Sequence, residues 1–284
     1  MKIAILGDTG MLGQMVKGEL RAEGFEVVGF NRSNGLNIEH DSKKTNYDKL
    51  CSLIPDNVTY VINCMGAIKP QFNKSPINSI FINAVFPHQL AQWAQEQTTW
   101  GNVKKVFHIT TDCVFDGNDG WYTDYFPHNT LDEYGKSKSL GEPSNCMVLR
   151  TSIIGPEWGG NNRSLVEWLL SCEGQTINGF TNHIWNGLTT LELAKSIGKI
   201  ISGDLYKEDK FNLFSTDINK YELLNLMVDE WCLDIKVNPV EADNYCNRTL
   251  RTTKPLNSML HHPNIQTMIR DLTKFIDMDR ECFI

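Results

Sequence analysis

The chain has 284 residues and a net charge of -7, and hydrophobic residues make up 41% of its composition. This length can bury a core as one large or two small domains, while the acidic balance excludes a general nucleic-acid surface. The eight cysteines form no Cys-x-x-Cys pair and no His/Cys cluster, so neither a disulfide framework nor a metal site is predicted. No apolar run has membrane-spanning length and no signal pattern is present, so we expect a cytoplasmic protein without a membrane partner.

The first predicted element is a strand at residues 3–6, a short apolar run typical of a parallel strand buried on both faces. It runs into GDTGMLG, and a helix to about residue 22 and a strand at 26–30 follow. Three glycines at this spacing permit a tight turn, and a helix N-terminus offers free N–H groups to a pyrophosphate. The strand–turn–helix context predicts a dinucleotide-binding turn whose cofactor residues are Gly7, Asp8, Thr9, Gly10, Met11, Leu12 and Gly13.

The second strand ends in Asn31-Arg32-Ser33. NAD-preferring sites usually carry an acidic residue here, which accepts from the ribose hydroxyls. An arginine can instead pair with the 2′-phosphate of NADPH through two parallel hydrogen bonds. We therefore predict Asn31 and Arg32 as cofactor residues and NADPH rather than NADH as the cofactor. The alternative for Arg32 is an exposed loop arginine without a ligand.

Strands and helices continue to alternate along the chain. Apolar runs and helical spacing predict a helix at 47–54, a strand at 59–63, a helix at 80–96 and a strand at 105–109. This alternation indicates an α/β fold with a doubly wound parallel sheet, the Rossmann architecture. Small and flexible groups after the strand at 59–63 would lie along the cofactor, so we add Cys64, Met65 and Gly66, together with Asn83 on the next helix.

The strand at 105–109 runs into the sequence TTDCVFDG. In open α/β sheets, residues after the strand ends face the ligand crevice. Thr111 is therefore predicted to bind a substrate carbonyl and to stabilise a developing alkoxide. The alternative is a threonine that only closes the strand. The following loop, at 118–130, would lie over the site.

Tyr134 and Lys138 lie four residues apart in YGKSK, and on a helix they share one face. An ammonium near a phenol lowers the pKa of the phenol, as a residue that gives and recovers a proton requires. The pair is therefore predicted to transfer protons. The alternative is a polar helix start with a solvated lysine.

The remaining chain predicts a strand at 147–153, a loop at 155–162, helices at 164–171, 191–201 and 220–231, and a strand at 211–214 that returns to the sheet. We assign residues 1–155, joined by 188–217, to dinucleotide binding. Residues 156–187 and 218–284 form a smaller C-terminal substrate lobe. Arg163, Arg251 and Lys254 are candidates for a substrate diphosphate between the lobes, with plain surface charges as the alternative. The sequence allows a homodimer but does not identify its interface.

Three motifs, GDTGMLG, TTDCVFDG and YGKSKSLGE, resemble the extended short-chain dehydrogenase/reductase family and most closely its dTDP-4-dehydrorhamnose reductase branch. The resemblance covers the N-terminal part of the chain and implies a catalytic triad of Thr111, Tyr134 and Lys138. It also implies reduction by NADPH of the C4 keto group of a nucleotide-linked 4-keto-6-deoxyhexose, with Tyr134 and Lys138 in contact with the cofactor. The predicted substrate-binding residues are Val114, Phe115, Arg163, His183, Trp185 and Arg251.

Two departures from this branch stand out: Cys113, where bacterial reductases usually have tyrosine, and the segment FTNHIWNG at 180–187. Cys113 lies two residues after Thr111, the spacing at which GDP-fucose synthase and plant-type rhamnose synthases carry an acid/base cysteine. The chain could therefore also epimerise C3 or C5 of the sugar, with His183 as the second proton carrier. The alternatives are a buried apolar cysteine and a hydrogen-bonded loop histidine. The regulatory subunit of methionine adenosyltransferase resembles the same branch, which leaves an NADP-binding regulatory role as a further alternative.

Overall fold

The computed structural model describes residues 1–40, 46–158 and 163–279. Its strands are β1 (Lys2–Leu6), β2 (Glu26–Phe30), β3 (Val58–Asn63), β4 (Lys105–Thr110), β5 (Met147–Arg150), β6 (Ile153–Ile154), β7 (Thr176–Phe180), β8 (His183–Trp185), β9 (Leu188–Thr189), β10 (Asp209–Asn212), β11 (Ile218–Asn219), β12 (Lys236–Val240) and β13 (Cys246–Asn247). Its α-helices are α1 (Met11–Ala22), α2 (Asn46–Leu53), α3 (Lys69–Phe72), α4 (Pro76–Ile80), α5 (Phe86–Thr99), α6 (Glu133–Leu140), α7 (Leu165–Leu170), α8 (Thr190–Ser202), α9 (Lys220–Glu230), α10 (Leu256–Leu260) and α11 (Ile265–Asp279).

Six parallel strands form the main sheet in the order β2-β1-β3-β4-β5-β10. The strand order reverses beside β1, and ligands of open α/β sheets bind at the carboxyl ends of the strands at such a switch point. Smaller sheets, β11-β8-β13 and β12-β7, come from the later part of the chain. The predicted doubly wound fold with smaller C-terminal sheets is confirmed.

Alternation along the strands separates two hydrophobic cores. On β1, the side chains of Ile3 and Ile5 enter one core, and those of Ala4 and Leu6 enter the other. Helices α1 and α8 supply the first core, whereas α2 and α5 supply the second. Successive residues of a strand point to opposite faces, so a strand covered on both faces must be apolar throughout. Burial of the strands on both faces therefore explains why the sequence contains short, wholly apolar runs.

The helical stretch predicted at 80–96 begins earlier and contains an irregularity. Helix α4 passes through a π-helical turn (Phe81–Val85) into α5. Pro87 has no backbone N–H, so the carbonyl of Asn83 cannot receive its usual α-helical hydrogen bond. That carbonyl lies against Gly141 at the end of α6, where any Cβ would overlap it. The π-turn therefore brings this helix and α6 into close backbone contact.

The strand predicted at 147–153 is two strands. β5 ends at Arg150, and after Thr151 and Ser152 the chain continues as β6, which pairs with β9 rather than with the main sheet. The Ser152 carbonyl accepts the Leu188 N–H at 2.9 Å, which turns the chain away from β5. Residues 159–162 of the predicted loop lie outside the described residues.

The later strand predicted at 211–214 is observed as β10, shifted by two residues, and it pairs in parallel with β5. The small strands β7, β8, β11 and β13 and the helices α10 and α11 were not predicted. None of the helices within the described ranges is both long and apolar enough to span a membrane.

Candidate active site

A continuous cleft runs along the carboxyl ends of β1, β3 and β4. It consists of two cavities of about 440 and 590 Å³. Both are lined by Thr9, Gly10 and the loop after β3, which contains Cys64, Met65 and Gly66. Tyr134, Lys138 and Thr111 line the smaller cavity, whereas Asn31 and Arg32 line the larger one. The structure therefore brings the predicted cofactor and catalytic residues to the two ends of one cleft.

The glycine turn has the shape that a pyrophosphate requires. Gly7 has φ +83°, a conformation that side chains disfavour, and its N–H donates to the Phe30 carbonyl at 2.7 Å. A Cβ at Gly13 would overlap the Gly7 carbonyl, so Gly13 serves close packing. A Cβ at Gly10 would meet only the Gly7 carbonyl oxygen, at 3.4 Å, and would otherwise extend into the cleft. An open backbone cradle at the start of α1 fits a dinucleotide.

Asp8 is the exception within this turn. Its carboxylate is turned away from the cleft and accepts hydrogen bonds from Lys17 Nζ at 2.7 Å and Asn31 Nδ2 at 2.8 Å. Asn31 in turn accepts from the Ser33 N–H and caps the 3-10 turn Arg32–Asn34. Asp8 therefore helps to hold the loop that carries Arg32 in place. Asp8 lines neither of the two cavities.

Lys138 is buried beneath the cleft floor. Its Nζ donates to the Ile109 carbonyl at 3.3 Å, and a Cβ at Gly66 would lie 3.2 Å from it. Burial lowers the pKa of Lys138 to about 8, against the opposing attraction of Glu142 and Cys64. The lysine is therefore charged at neutral pH and discharges in mildly alkaline solution.

Tyr134 and Thr111 both line the smaller cavity. Burial raises the pKa of Tyr134 above its usual value, and the neighbouring Cys113 adds to the rise. Lys138 does not hold the pKa of Tyr134 down here, contrary to the lowering that the sequence predicts. The phenol is therefore protonated at neutral pH. Thr111 Oγ1 donates to Asp112 Oδ1 at 3.1 Å and accepts from the Cys113 N–H at 3.1 Å, which fixes its hydroxyl.

Cys113 lines the same cavity as Tyr134. Burial, followed by the charge of Asp112, raises the pKa of the Cys113 thiol to about 12. The thiol is therefore protonated at neutral pH. Such a group can give a proton to a carbanion more readily than it can abstract one.

Helix α6, which carries Tyr134 and Lys138, is held at both ends. Asp132 Oδ1 accepts the Gly135 N–H at 3.1 Å at the start of the helix. After its end, Glu142 receives two hydrogen bonds from Arg150, at 2.6 and 3.1 Å, within the protein interior. Burial alone would raise the pKa of Glu142, but the charge of Arg150 lowers it below the usual value. The Gly-Glu that follows the Tyr/Lys motif thus anchors α6 to β5.

Asn83 also supports the site from behind. Its buried amide accepts the Ala67 N–H at 2.8 Å and donates to the Ala67 carbonyl at 2.8 Å. Its Nδ2 also donates to Ser137 Oγ at 3.0 Å. Asn83 therefore ties the loop after β3 to α6 and lines neither of the two cavities. Its contact with the cofactor stays a prediction.

Most of the predicted substrate residues lie away from the cleft. Val114 and Phe115 are fully buried, and Phe115 stacks on Tyr122 with a centroid distance of 4.3 Å. His183 Nε2 lies 3.0 Å from the Asn244 carbonyl, and Arg251 pairs with Asp217. Trp185 packs against the main hydrophobic core. Arg163 alone of this predicted set lines the smaller cavity.

The cleft contains residues that the sequence did not single out. The smaller cavity is also lined by Gln71, Thr151, Ser152, Glu157 and Trp158. Thr151 and Ser152 follow β5, and the strand-end rule could have found them had the end of β5 been placed correctly. Glu157 and Trp158 follow β6 and carried no motif.

A further cavity of about 420 Å³ lies between α7, β7 and α9 and is lined by Trp168, Phe180 and Lys220. Burial lowers the pKa of Lys220, while the carboxylate of Asp112 opposes the lowering. Lys220 thus lines this cavity and interacts electrostatically with Asp112, which lines the smaller cavity of the cleft. No cluster of metal-binding side chains was found in the described part of the chain.

The profile described as the RmlD substrate-binding domain matches residues 1–276 of the chain. The chain belongs to this family. The probable low-salt glycan biosynthesis reductase Agl14 of Haloferax volcanii is 28% identical over 215 residues, 66% of this chain and 69% of that protein. The RmlD-like reductase branch suggested by the three motifs is thereby confirmed.

This RmlD family member also resembles solved structures, and the resemblance covers nearly the whole chain. The dTDP-4-dehydrorhamnose reductase of Bacillus anthracis in complex with NADP has a TM-score of 0.78 at 21% identity and covers 96% of this chain and 99% of its own. That of Clostridium acetobutylicum has a TM-score of 0.75 at 19% identity, over 98% and 100% of the chains. At these identities the structures establish the shared fold.

Proposed function

We propose that this protein is an NADPH-dependent reductase of the C4 keto group of a nucleotide-linked 4-keto-6-deoxyhexose. The observation that supports this most is the single cleft with a dinucleotide cradle at one end and Thr111, Tyr134 and Lys138 at the other. Membership of the RmlD family and the NADP complex of a structural neighbour agree with it.

The protein's own groups perform the proton chemistry. When bound, NADPH supplies the hydride for C4 of the sugar. Tyr134, protonated at neutral pH, gives its proton to the developing C4 alkoxide, and the carbonyl becomes a hydroxyl. The hydroxyl of Thr111, which donates to Asp112 Oδ1 in the structure, would turn to donate a hydrogen bond to the same oxygen and orient it. The buried ammonium of Lys138 stabilises the phenolate that remains until it is protonated again.

The substrate side would use residues from the later part of the chain. We propose that Trp158 and Arg163 border the sugar, and that the cavity at Lys220 receives the nucleotide diphosphate in place of Arg251, whose charge is paired with Asp217. We also propose the division into a cofactor part, 1–155 with 188–217, and a substrate part. The parallel pairing of β10 with β5 supports it.

A panel of UDP-, dTDP- and GDP-linked 4-keto-6-deoxy sugars, followed by the loss of NADPH absorbance, tests this function. We expect turnover with at least one of them and product reduced at C4. If the protein binds NADPH but oxidises it with none of the panel, the reductase proposal fails, and the regulatory role becomes the better interpretation.

An epimerase activity has one supporting observation, the position of Cys113 in the catalytic cavity. The proposed second proton carrier, His183, does not line that cavity. Incubation of the keto sugar with enzyme in deuterated water, without NADPH, measures the exchange at C3 and C5. Deuterium that appears with the wild type and not with Cys113→Ser would support epimerisation, whereas its absence in both would remove this activity.

A further inference from the structure

His128, near the end of the loop at 118–130, contacts three separate parts of the fold. Its Nδ1 lies 2.7 Å from Ser139 Oγ on α6, and its Nε2 lies 2.9 Å from Arg150 Nη2 at the end of β5. Its ring packs edge-on against Phe115, at a centroid distance of 5.5 Å. Only 19% of the side chain is exposed. His128 therefore joins this loop to both α6 and β5.

The two hydrogen bonds fix the protonation state of the His128 ring. A guanidinium has donors and no acceptor, so Nε2 of His128 must accept from Arg150 and carries no proton. The single proton of the neutral ring then lies on Nδ1, which donates to Ser139 Oγ. A second proton, on Nε2, would place a donor and a positive charge against the guanidinium. The contact with Arg150 therefore requires the neutral ring.

Arg150 is held too firmly to move aside for that proton. Its Nε and Nη2 donate to Glu142, and its Nη1 donates to Asn212 Oδ1 at 2.8 Å. Its side chain is 1% exposed. Protonation would thus displace His128 rather than Arg150. The two residues that follow Arg150 in the chain line the smaller cavity, so the contact lies directly behind the catalytic cavity.

The charged groups that face the ring in the described part of the chain are Glu142 after α6, Arg150 on β5 and Lys210 on β10. Burial lowers the pKa of His128, and the charges of Arg150 and Lys210 add to the lowering. Glu142, whose Oε2 lies 3.6 Å from Nε2, opposes it. The ring is therefore neutral at pH 7 and gains its second proton only below pH 6.5, the pKa of an ordinary histidine.

We propose that His128 is a positioning residue: its neutral ring ties the loop at 118–130 to α6 and β5, and protonation of the ring breaks this tie and lowers turnover. The inference rests on the proposed function, because α6 carries Tyr134 and Lys138. Neither of these groups titrates in acid, since the pKa of Lys138 is about 8 and that of Tyr134 is raised. A loss of turnover in acid therefore requires another group.

The test compares the pH dependence of kcat for the wild type and for His128→Gln, with the sugar substrate and NADPH at saturation. Glutamine does not titrate and keeps an uncharged acceptor for Arg150. We expect kcat of the wild type to fall along a one-proton curve below pH 6.5, by up to about tenfold per pH unit. The kcat of His128→Gln should stay within about twofold over the same interval.

Two further variants sharpen the test. His128→Asn keeps a donor for Ser139 and serves as a second variant that does not titrate, in case glutamine disturbs the fold. His40→Gln, at an exposed position outside this cluster, should keep the wild-type profile. A fall of kcat in acid that persists in both His128 variants would overturn the proposal. It would assign the titration to another group, such as Asp112, whose pKa is raised by burial.

The stability of the fold gives a measurement that needs no sugar substrate. Because the pKa of His128 is lower in the folded than in the unfolded chain, the unfolded chain binds this proton more readily. The free energy of unfolding of the wild type minus that of His128→Gln should therefore fall as the pH falls below 6.5. A difference that does not change with pH would overturn the proposal. In a protein that reduces no sugar of the panel, the reductase proposal fails, and this difference alone decides whether the tie depends on the proton.

Discussion

The two ends of the cleft are built in different ways. At the cofactor end, hydrogen bonds between backbone groups set the shape: the Gly7 N–H donates to the Phe30 carbonyl at 2.7 Å, and the Cys64 N–H donates to the Leu6 carbonyl at 3.0 Å. At the sugar end, side chains from separate segments meet, and their positions depend on how α6 is anchored. Substitutions at the cofactor end should therefore change shape and binding, whereas substitutions at the sugar end should change chemistry in an intact fold.

The largest effect is expected for Tyr134→Phe at the sugar end. Loss of the proton donor should reduce kcat by about a thousandfold, within the range of general acid catalysis. Because the phenyl ring is retained, the dissociation constant of NADPH should stay within about twofold of the wild type. The exposed Tyr125→Phe is the matched control for turnover and binding. An active Tyr134→Phe enzyme would place the proton donor elsewhere.

The second prediction concerns the buried charge of Lys138. Its pKa is about 8 in the folded protein against 10.5 for an ordinary lysine, so burial of the charge destabilises the fold below pH 8. As pH rises from about 8 to 10.5, the folded lysine loses its proton first and this cost disappears. The free energy of unfolding of the wild type minus that of Lys138→Met should therefore rise over this interval by on the order of 3 kcal/mol.

Urea unfolding at several pH values measures this difference, and the subtraction removes the titration of groups common to both proteins. The exposed Lys136→Met, on the same helix, should show no such pH dependence. A difference that falls between pH 8 and 10.5 would mean that a partner raises the pKa of Lys138 in the folded state.

The third prediction separates shape from binding within the glycine turn. Gly13→Ala should lower the free energy of unfolding by about 1–3 kcal/mol, since its Cβ overlaps the Gly7 carbonyl. Gly10→Ala should fold within about 0.5 kcal/mol of the wild type and still bind NADPH poorly, because its methyl extends into the cleft. Urea unfolding and NADPH titration measure the two effects. Equal losses of stability in both variants would contradict this division.

The smallest effect is expected at Arg32, which lies at the outer edge of the cleft. Arg32→Ala should weaken NADPH binding by about tenfold, as expected when a charged hydrogen-bond partner is lost, and leave NADH binding nearly unchanged. Arg270→Ala, on α11, serves as the control because α11 does not line the cleft. Equal weakening of both dinucleotides would remove the selectivity assigned to Arg32.

The fold could be predicted because its signals are local. Strands covered on both faces must be apolar, and the glycine turn lies directly between β1 and α1. The pair Tyr134 and Lys138 needed only helical spacing. Their roles stay predictions, but their convergence with Thr111 on one cavity followed from the strand-end rule.

The side-chain positions that the sequence did not predict have tertiary causes. The hydrogen-bond partners of the Asp8 carboxylate are Lys17 and Asn31, which lie 9 and 23 residues away along the chain. No sequence motif predicts these two hydrogen bonds. Phe115 stands in a motif beside the site, yet it stacks on Tyr122 of the following loop. The spacing of residues in the sequence predicts the helix or strand on which a residue lies. The packing of the helices and strands decides which side chains contact one another.

The π-turn before Pro87 has a mechanical consequence. It presses the Asn83 carbonyl on Gly141, while the Asn83 amide holds Ala67 through two hydrogen bonds. These contacts fix the distance between the loop after β3 and the helix that carries Tyr134.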